Sequence, residues 1–139
     1  MTRRSLAEAI TGQHTLTLPP EATMRDACAA MHERRVGAVL VVDATGRLVG
    51  IFTGRDAVGA LARRVDPAAV TLAEAMTPDP VVLSPDAEPI DALRNMRDGG
   101  FRHVPVVLDG QVVGVVSRYD FRTAENVRIE DEIALWERI

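Results

Sequence analysis

The chain has 139 residues, of which 47% are hydrophobic and 26% are charged, and this composition is typical of a soluble globular protein with one buried core. A formal net charge of −4 and a pI near 5.3 argue against a nucleic-acid backbone as the main partner, because such proteins normally carry a basic face. No apolar run approaches the roughly 18 residues of a membrane span. No signal-peptide hydrophobic region follows the N-terminus, so we expect a cytoplasmic protein without a membrane partner.

The first half of the chain predicts a lead-in helix, a strand, a longer helix, a β-hairpin and a final helix. A short helix over residues 5–10, starting near a Ser cap, and a strand over residues 15–18 come first. Apolar residues spaced i, i+3, i+4 and i+7 predict a helix over residues 23–35. Two apolar runs at residues 39–42 and 48–52, separated by turn residues, predict the hairpin.

Thr53 is followed three residues later by Asp56, at the start of a helix that we expect to run to about Arg64. A hydroxyl and a carboxylate at this spacing are typical of a capping box, in which each side chain accepts a backbone N–H of the first helical turn. Ser117 and Asp120 repeat the pattern. Helix capping and ligand contact are compatible roles for both aspartates.

The whole first half recurs in the second. Gly50 in the first hairpin matches Gly114 in the second, and Leu6 in the first lead-in segment matches Leu72 in the second at nearly the same spacing. A lead-in helix over residues 71–76, a strand over 80–83, a helix over 88–98 and a hairpin over 103–116 follow in the same order. A single unit of about 60 residues is marginal as an isolated core, so we expect the two to pack together.

We divide the chain into repeat 1 with its lead-in helix (residues 1–66), repeat 2 (residues 67–124) and a C-terminal helix (residues 125–139). The last helix is expected to start near Arg118 and to continue beyond repeat 2. It carries Trp136, which we interpret as a dimer contact, the alternative being that it covers the chain's own core. The apolar strands contain few polar residues, which favours strands covered on both faces.

This arrangement resembles a tandem pair of CBS domains, the Bateman module associated with sensing of adenine nucleotides and cellular energy. The resemblance runs from about Leu6 to Thr123 and includes MTPDPV at residues 76–81 and RHVPVV at residues 102–107. It implies an α+β fold of two β-α-β-β-α repeats, packed sheet to sheet about a pseudo-twofold axis.

The resemblance also implies two ligand clefts, each lined by both repeats. In the first, the Asp56 carboxylate would accept the ribose hydroxyls, while Arg102 and His103 would contact phosphate as guanidinium and imidazolium donors. Apolar walls and backbone amides would hold the adenine. The nucleotide-binding residues expected in this cleft are Thr53, Arg55, Asp56, Thr77, Pro80, Val81, Phe101, Arg102, His103 and Pro105.

The second implied cleft is the weaker nucleotide site. Gly37 and Ala38 stand where repeat 2 has Arg102 and His103, so phosphate contacts would fall to Arg118 or to the Arg34–Arg35 pair. The residues expected in this cleft are Thr11, His14, Leu16, Val36, Gly37, Ala38, Ser117, Arg118, Tyr119 and Asp120.

The implied function is that of a stand-alone, non-catalytic regulatory module that binds AMP, ADP or ATP and signals to a protein target of unknown identity, or buffers the nucleotide. Similar modules form flat homodimers, and we expect one here. NAD or S-adenosylmethionine is the alternative ligand. An alternative hypothesis is that the protein is a ligand-independent interaction scaffold that recruits its partner through the terminal helix.

No catalytic residue, prosthetic group or metal is predicted. The chain has neither a GxxxxGK phosphate-binding loop nor a GxSxG nucleophile elbow. The single cysteine, Cys28, continues an apolar helical pattern and is interpreted as a small buried residue. The three histidines lack the pair spacing of a zinc helix.

Overall fold

A computed structural model describes residues 5–121, and in it both halves contain a short lead-in helix, a longer helix and a β-hairpin in the same order. The first half contains α1 (Leu6–Ala9), β1 (Thr17–Leu18), α2 (Met24–Arg34), β2 (Ala38–Val42), β3 (Leu48–Thr53) and α3 (Gly54–Ala62). The second half contains α4 (Leu72–Ala75), β4 (Thr77–Pro78), α5 (Pro89–Gly99), β5 (His103–Leu108), β6 (Gln111–Ser117) and a 3-10 helix (Arg118–Asp120). The last helix is predicted to start near Arg118 and to continue, but the described part is a 3-10 helix that ends at Asp120, because the backbone of Phe121 is extended. The segment of residues 125–139 and Trp136 lie outside the described residues.

Local capping signals in the sequence set where the longer helices begin and end. At the start of α2, the Thr23 hydroxyl accepts the Asp26 N–H at 3.1 Å, and the Asp26 carboxylate accepts the Thr23 N–H at 3.1 Å. Helix α5 ends at Gly100, whose φ of 71° is left-handed backbone that glycine adopts without a steric cost. The predicted start and end of both helices are thus confirmed to within a residue or two.

The two lead-in helices are exchanged between the halves. The backbone N–H of Leu6 in α1 donates to Ala87 O at 2.9 Å, and the N–H of Leu72 in α4 donates to Ala22 O at 2.8 Å. The sequence predicts a Ser cap for α1, but the Ser5 side chain makes no capping hydrogen bond. Backbone carbonyls of the opposite half bond to N–H groups in the first turn of each short helix instead.

Side-chain packing follows the same exchange. Leu6 is fully buried in a core of the second half that includes Met96 and Val104, whereas Leu72 is fully buried in the first-half core that includes Phe52. The division at residues 66 and 67 therefore separates units of sequence, while in space each lead-in helix belongs to the other unit.

The first half carries a four-stranded sheet in the order β1-β2-β3-β4. Strand β1 runs parallel to β2, and β2, β3 and β4 are antiparallel neighbours, so a strand from the second half completes this sheet. Between residues 79 and 121, β5 and β6 are the strands that form a regular pair. The strand predicted over residues 80–83 is reduced to a parallel bridge between Leu83 and Val106. In the first half the Leu40 N–H donates to Leu16 O, but the equivalent residue of β5 is Pro105, which has no N–H to donate.

The sheets pack against each other face to face, as predicted. Ala38, Leu40 and Ile51 of the first sheet form a core with Val112 and Val115 of β6. The alternate residues of β2, Val39 and Val41, lie in a second core beneath α2 and α3. Because β2 is covered on both faces, its sequence is a continuous apolar run without alternation.

The equivalent glycines of the two hairpins allow the exchanged segments to approach the strands. A Cβ on Gly50 would lie in contact with Met76 Sδ and 3.0 Å from the Thr77 carbonyl oxygen. A Cβ on Gly114 would lie 2.6 Å from Ile10 Cγ2. Each strand thus lacks a side chain where the lead-in segment of the other half crosses it.

Candidate functional site

A cavity of about 820 Å³ opens between the two halves. The residues that line it come from the start of α3 and its neighbouring strands on one side, and from the segments after α4 and α5 on the other. They are Gly37, Ile51, Thr53, Gly54, Arg55, Asp56, Thr77, Asp79, Pro80, Val81, Gly100, Phe101, Arg102 and His103. Its volume lies in the range of ordinary small-molecule pockets.

The capping box at the start of α3 presents a carboxylate to this cavity. Asp56 Oδ2 accepts the Thr53 N–H at 2.9 Å and the Thr53 hydroxyl at 3.2 Å, while the Asp56 N–H donates to Thr53 Oγ1 at 3.4 Å. Within residues 5–121, Oδ1 of Asp56 accepts no hydrogen bond. Capping therefore uses one carboxylate oxygen and leaves the other available as an acceptor.

Backbone hydrogen bonds connect the strand starts to the capping boxes in both halves. The Gly54 N–H at the start of α3 donates to Gly37 O at 3.1 Å, and the Arg118 N–H donates to Arg102 O at 3.2 Å. Residues 37 and 102 occupy equivalent places in the two repeats. The structure puts Gly37, which we expected in the second cleft, in the lining of the first.

His103 is half-buried and faces Gly37. A Cβ on Gly37 would lie 3.2 Å from both Cε1 and Nε2 of the imidazole, so glycine at position 37 leaves the ring its space. Burial lowers the pKa of His103 below its ordinary value; the Asp120 carboxylate opposes this and the Arg102 charge adds to it. The imidazolium expected from the sequence is thus replaced at neutral pH by a neutral ring, which donates from one nitrogen and accepts at the other.

Nine of the ten residues expected in the first cleft line the cavity. Pro105 does not, because it lies inside β5, is fully buried, and pairs with Val115 of β6. Its carbonyl oxygen accepts the Leu83 N–H at 3.0 Å, so its role is to join strand and bridge. Sequence reasoning missed Ile51, Gly54, Asp79 and Gly100, of which Asp79 was already visible within the MTPDPV segment.

The residues expected in the second cleft have mixed surroundings. Leu16 and Ala38 are buried in cores, the Thr11 hydroxyl donates to Ala7 O at 2.9 Å, and the His14 carbonyl accepts a hydrogen bond from Arg34. Val36 and Tyr119 are exposed.

The capping pair of the second cleft has only a short helix behind it. The Ser117 N–H donates to Asp120 Oδ2 at 2.6 Å, at the start of the 3-10 helix. Arg118 is half-buried just after Ser117. In this half the carboxylate again bonds the backbone three residues before it, as in the first half.

The side chain of Gln13 pairs with the edge of β6, where a neighbouring strand would otherwise lie. Its Nε2 donates to Val115 O at 2.8 Å and its Oε1 accepts the Val115 N–H at 2.8 Å. In the first half, the corresponding edge of β3 pairs with the main chain of β4. A side-chain amide thus replaces a peptide group, which makes the two clefts unequal.

Two further properties concern only residues 5–121. No group of three or more His, Cys, Asp or Glu side chains in this part of the chain is arranged to hold a metal ion. None of its helices is long and apolar enough to cross a membrane.

Comparisons with known proteins agree with this architecture. The chain is 37% identical over 102 residues, or 73% of its length, to CBS domain-containing protein CBSCBSPB5 of Arabidopsis thaliana. It spans 18–19% of the length of the Arabidopsis relatives that it matches.

Solved structures show the same fold over almost the whole chain. A CBS domain protein from Pyrobaculum aerophilum, complexed with AMP, is 27% identical with a TM-score of 0.79, covering 91% of this chain and 97% of that one. The CBS domain pair of protein MJ0100, in complex with 5'-methylthioadenosine and S-adenosyl-L-methionine, is 25% identical with a TM-score of 0.78, covering 86% and 93%. The family model for the CBS domain matches residues 4–63 and 72–126, and the chain therefore belongs to the CBS domain family and contains a tandem pair of these domains.

Proposed function

We propose that the cavity binds an adenine nucleotide reversibly, without transforming it, and that the bound state regulates a partner protein. The observation that carries the proposal is the meeting of Asp56 from one repeat with Arg102 and His103 from the other across one cavity. The AMP complex of the Pyrobaculum relative supports this class of ligand.

The lining residues supply the three kinds of contact that such a ligand needs. The unused Asp56 oxygen is an acceptor suited to a ribose diol, and Thr53 and Thr77 line the same cavity. Arg102 offers a charged donor for phosphate. Ile51, Val81 and Phe101 supply apolar surface for the base.

Regulation follows from the position of the cavity between the repeats. A ligand that touches both halves favours the packing in which the two sets of contacts coexist, and it shifts the equilibrium by its difference in affinity for the alternatives. We propose that two partners respond to this change in packing: a second copy of the chain, in a homodimer, and a protein target in the cytoplasm.

S-adenosylmethionine or 5'-methylthioadenosine is the second candidate ligand, favoured by the bound state of the MJ0100 relative. These compounds share the adenosine and lack phosphate. They would use the Asp56 and apolar contacts. The methionine carboxylate of S-adenosylmethionine would be the anionic partner for Arg102, whereas 5'-methylthioadenosine offers none.

Calorimetric titration of nucleotide-stripped protein with AMP, ADP, ATP, NAD and S-adenosylmethionine tests the proposal. We expect saturable binding that Asp56→Ala abolishes and that Asp120→Ala, in the other cleft, retains. Asp26→Ala is the matched control, because Asp26 forms the same capping box with Thr23 away from the cavity.

The control separates ligand contact from helix capping. Asp56→Ala and Asp26→Ala should lower the melting temperature comparably, but only the former should lose binding. Absence of heat and of any melting shift with all five compounds would refute the proposal and favour a ligand-independent scaffold.

A further inference from the structure

The charged residues that line the cavity balance one another. Arg55 and Arg102 are the cationic side chains of the lining, and Asp56 and Asp79 are the anionic ones. His103 adds no charge at neutral pH, because burial lowers its pKa. Before a ligand binds, the lining of the cavity therefore carries no net formal charge at neutral pH.

Asp79 is the residue that creates this balance. It lies between β4 and Pro80, on the side of the cavity supplied by the second repeat. Its side chain is exposed and forms no hydrogen bond or ion pair within residues 5–121. Its backbone has a φ of 46°, in the left-handed region where aspartate, asparagine and glycine are the favoured residues.

The chain could satisfy this backbone conformation without a charge. Asparagine and glycine adopt positive φ at least as readily as aspartate. The backbone conformation therefore explains why residue 79 is aspartate, asparagine or glycine, but it does not require a carboxylate at this position. Asp56 differs, because both its oxygens and its position in the capping box are needed for the contacts described above.

We propose that Asp79 is a specificity-determining residue that selects adenosine ligands of low negative charge, AMP over ADP and ATP. This inference rests on the proposed function of the cavity. Added β and γ phosphates bring negative charge into a site that holds a fixed carboxylate, and like charges repel even across a solvated distance. The repulsion acts on the extra phosphates and leaves adenosine contacts unchanged.

The test is calorimetric titration with AMP and ATP in low salt and EDTA. Wild-type protein should bind AMP more tightly than ATP, and Asp79→Asn should narrow the affinity ratio by about threefold, an amount expected for two extra charges at a screened surface distance. Asp79→Gly, which also fits a positive φ, should give the same change. Raising the salt concentration screens the repulsion, so it should reduce the preference of wild-type protein for AMP over ATP.

Asp109→Asn is the matched control. Asp109 is also an exposed aspartate at positive φ, 52°, but it lies in the β5–β6 turn and does not line the cavity. The substitution changes the net charge equally and should leave the AMP-to-ATP ratio unchanged. A merely structural role of Asp79 would move both affinities together, not their ratio.

Magnesium gives an independent readout. Magnesium neutralises part of the triphosphate charge, so it should narrow the AMP-to-ATP ratio in wild-type protein and have a smaller effect in Asp79→Asn. Tighter binding of ATP than of AMP in EDTA, or a ratio that neither Asp79 variant changes, would overturn the inference while leaving nucleotide binding intact. A magnesium-dependent preference for ATP that Asp79→Asn removes would also overturn it, in favour of a cation contact. Binding of neither nucleotide would refute the proposed function together with this inference.

Discussion

Arg55 and Gly100 join the two repeats at one side of the cavity. Arg55 Nη1, at the start of α3, donates a hydrogen bond of 3.2 Å to the carbonyl oxygen of Gly100, far along the chain at the end of α5. Carbonyls at a helix C-terminus lack intrahelical partners, and a cation there also offsets the negative end of the helix dipole. The bond therefore links the element that carries Asp56 to the segment that carries Arg102 and His103.

Replacing Arg55 by alanine should weaken AMP binding by about threefold to tenfold, because the side chain both lines the cavity and positions its opposite wall. Thermal stability should change little, since the guanidinium is exposed. Calorimetry and a melting curve measure the two effects. Arg63→Ala, at the other end of α3, should leave AMP affinity unchanged, and equal affinity in both variants would limit Arg55 to a structural role.

The exchanged lead-in helices should make the two repeats unfold together. Leu6→Ala and Leu72→Ala each remove a fully buried side chain from the core of the opposite half, and each should lower the free energy of unfolding by about 2–5 kcal/mol. Urea denaturation measures this. Leu61→Ala, where the leucine is 68% exposed, should change it by less than about 0.5 kcal/mol. Separate unfolding transitions for the two halves in the wild-type protein would contradict the exchange.

A methyl group on either repeated glycine should push the lead-in segment away from its strand. Gly50→Ala and Gly114→Ala are each expected to cost about 1–3 kcal/mol of stability, as overpacked core sites do. Gly54→Ala is the control, because a Cβ there meets nothing within 4 Å, and it should be neutral or slightly stabilising. Melting temperatures of the three variants rank the effects. A stable Gly50→Ala protein would show that Met76 and Thr77 move aside freely.

The lowered pKa of His103 predicts a dependence of stability on pH. The unfolded chain has an ordinary histidine pKa near 6.5, and the folded pKa lies below it because the ring is buried. The contribution to stability is therefore present above about pH 6.5 and is lost as the pH falls through the folded pKa. His103→Asn should make the loss of stability between pH 7.5 and 5.5 shallower in urea titrations.

Ligand binding should reverse the shift at this histidine. A phosphate near the ring favours its charged form, so binding of AMP should be accompanied by proton uptake and should tighten as the pH falls below 7. Calorimetry in buffers of different ionisation enthalpy measures the uptake. Uptake that persists in His103→Asn would assign the proton to another group.

Elements that depend on neighbours in sequence were predictable. The hairpin of β2 and β3, the capping box at Thr53 and the helix stop at Gly100 all arise from contacts within a few residues. Periodicity and capping chemistry report such contacts directly. The duplicated pattern extended this prediction to the fold, because two marginal units with apolar strands need each other's surface.

Details of the candidate site were less predictable, because they depend on which distant segments meet. Pro105 fits the strand pattern and the motif equally well, and only the pairing with Val115 and the Leu83 contact show that it is buried. Gly37 is placed in the first cavity by the position of His103, which belongs to the other repeat. Asp79 is visible as a turn residue, but its part in the charge balance appears only once the lining is assembled.

The sequence by itself determined the longer helices, the two hairpins, the Thr53–Asp56 capping box and the duplication, because these follow from local hydrogen bonds and from the spacing of apolar residues. Only the tertiary structure decided that Leu6 and Leu72 are exchanged between the halves, and that Gln13 covers an edge where the other half uses a strand. The two lead-in segments are nearly alike, so local preference does not distinguish docking on one half from docking on the other. The packing of whole surfaces makes that choice, and with it the shape and charge of the cavity.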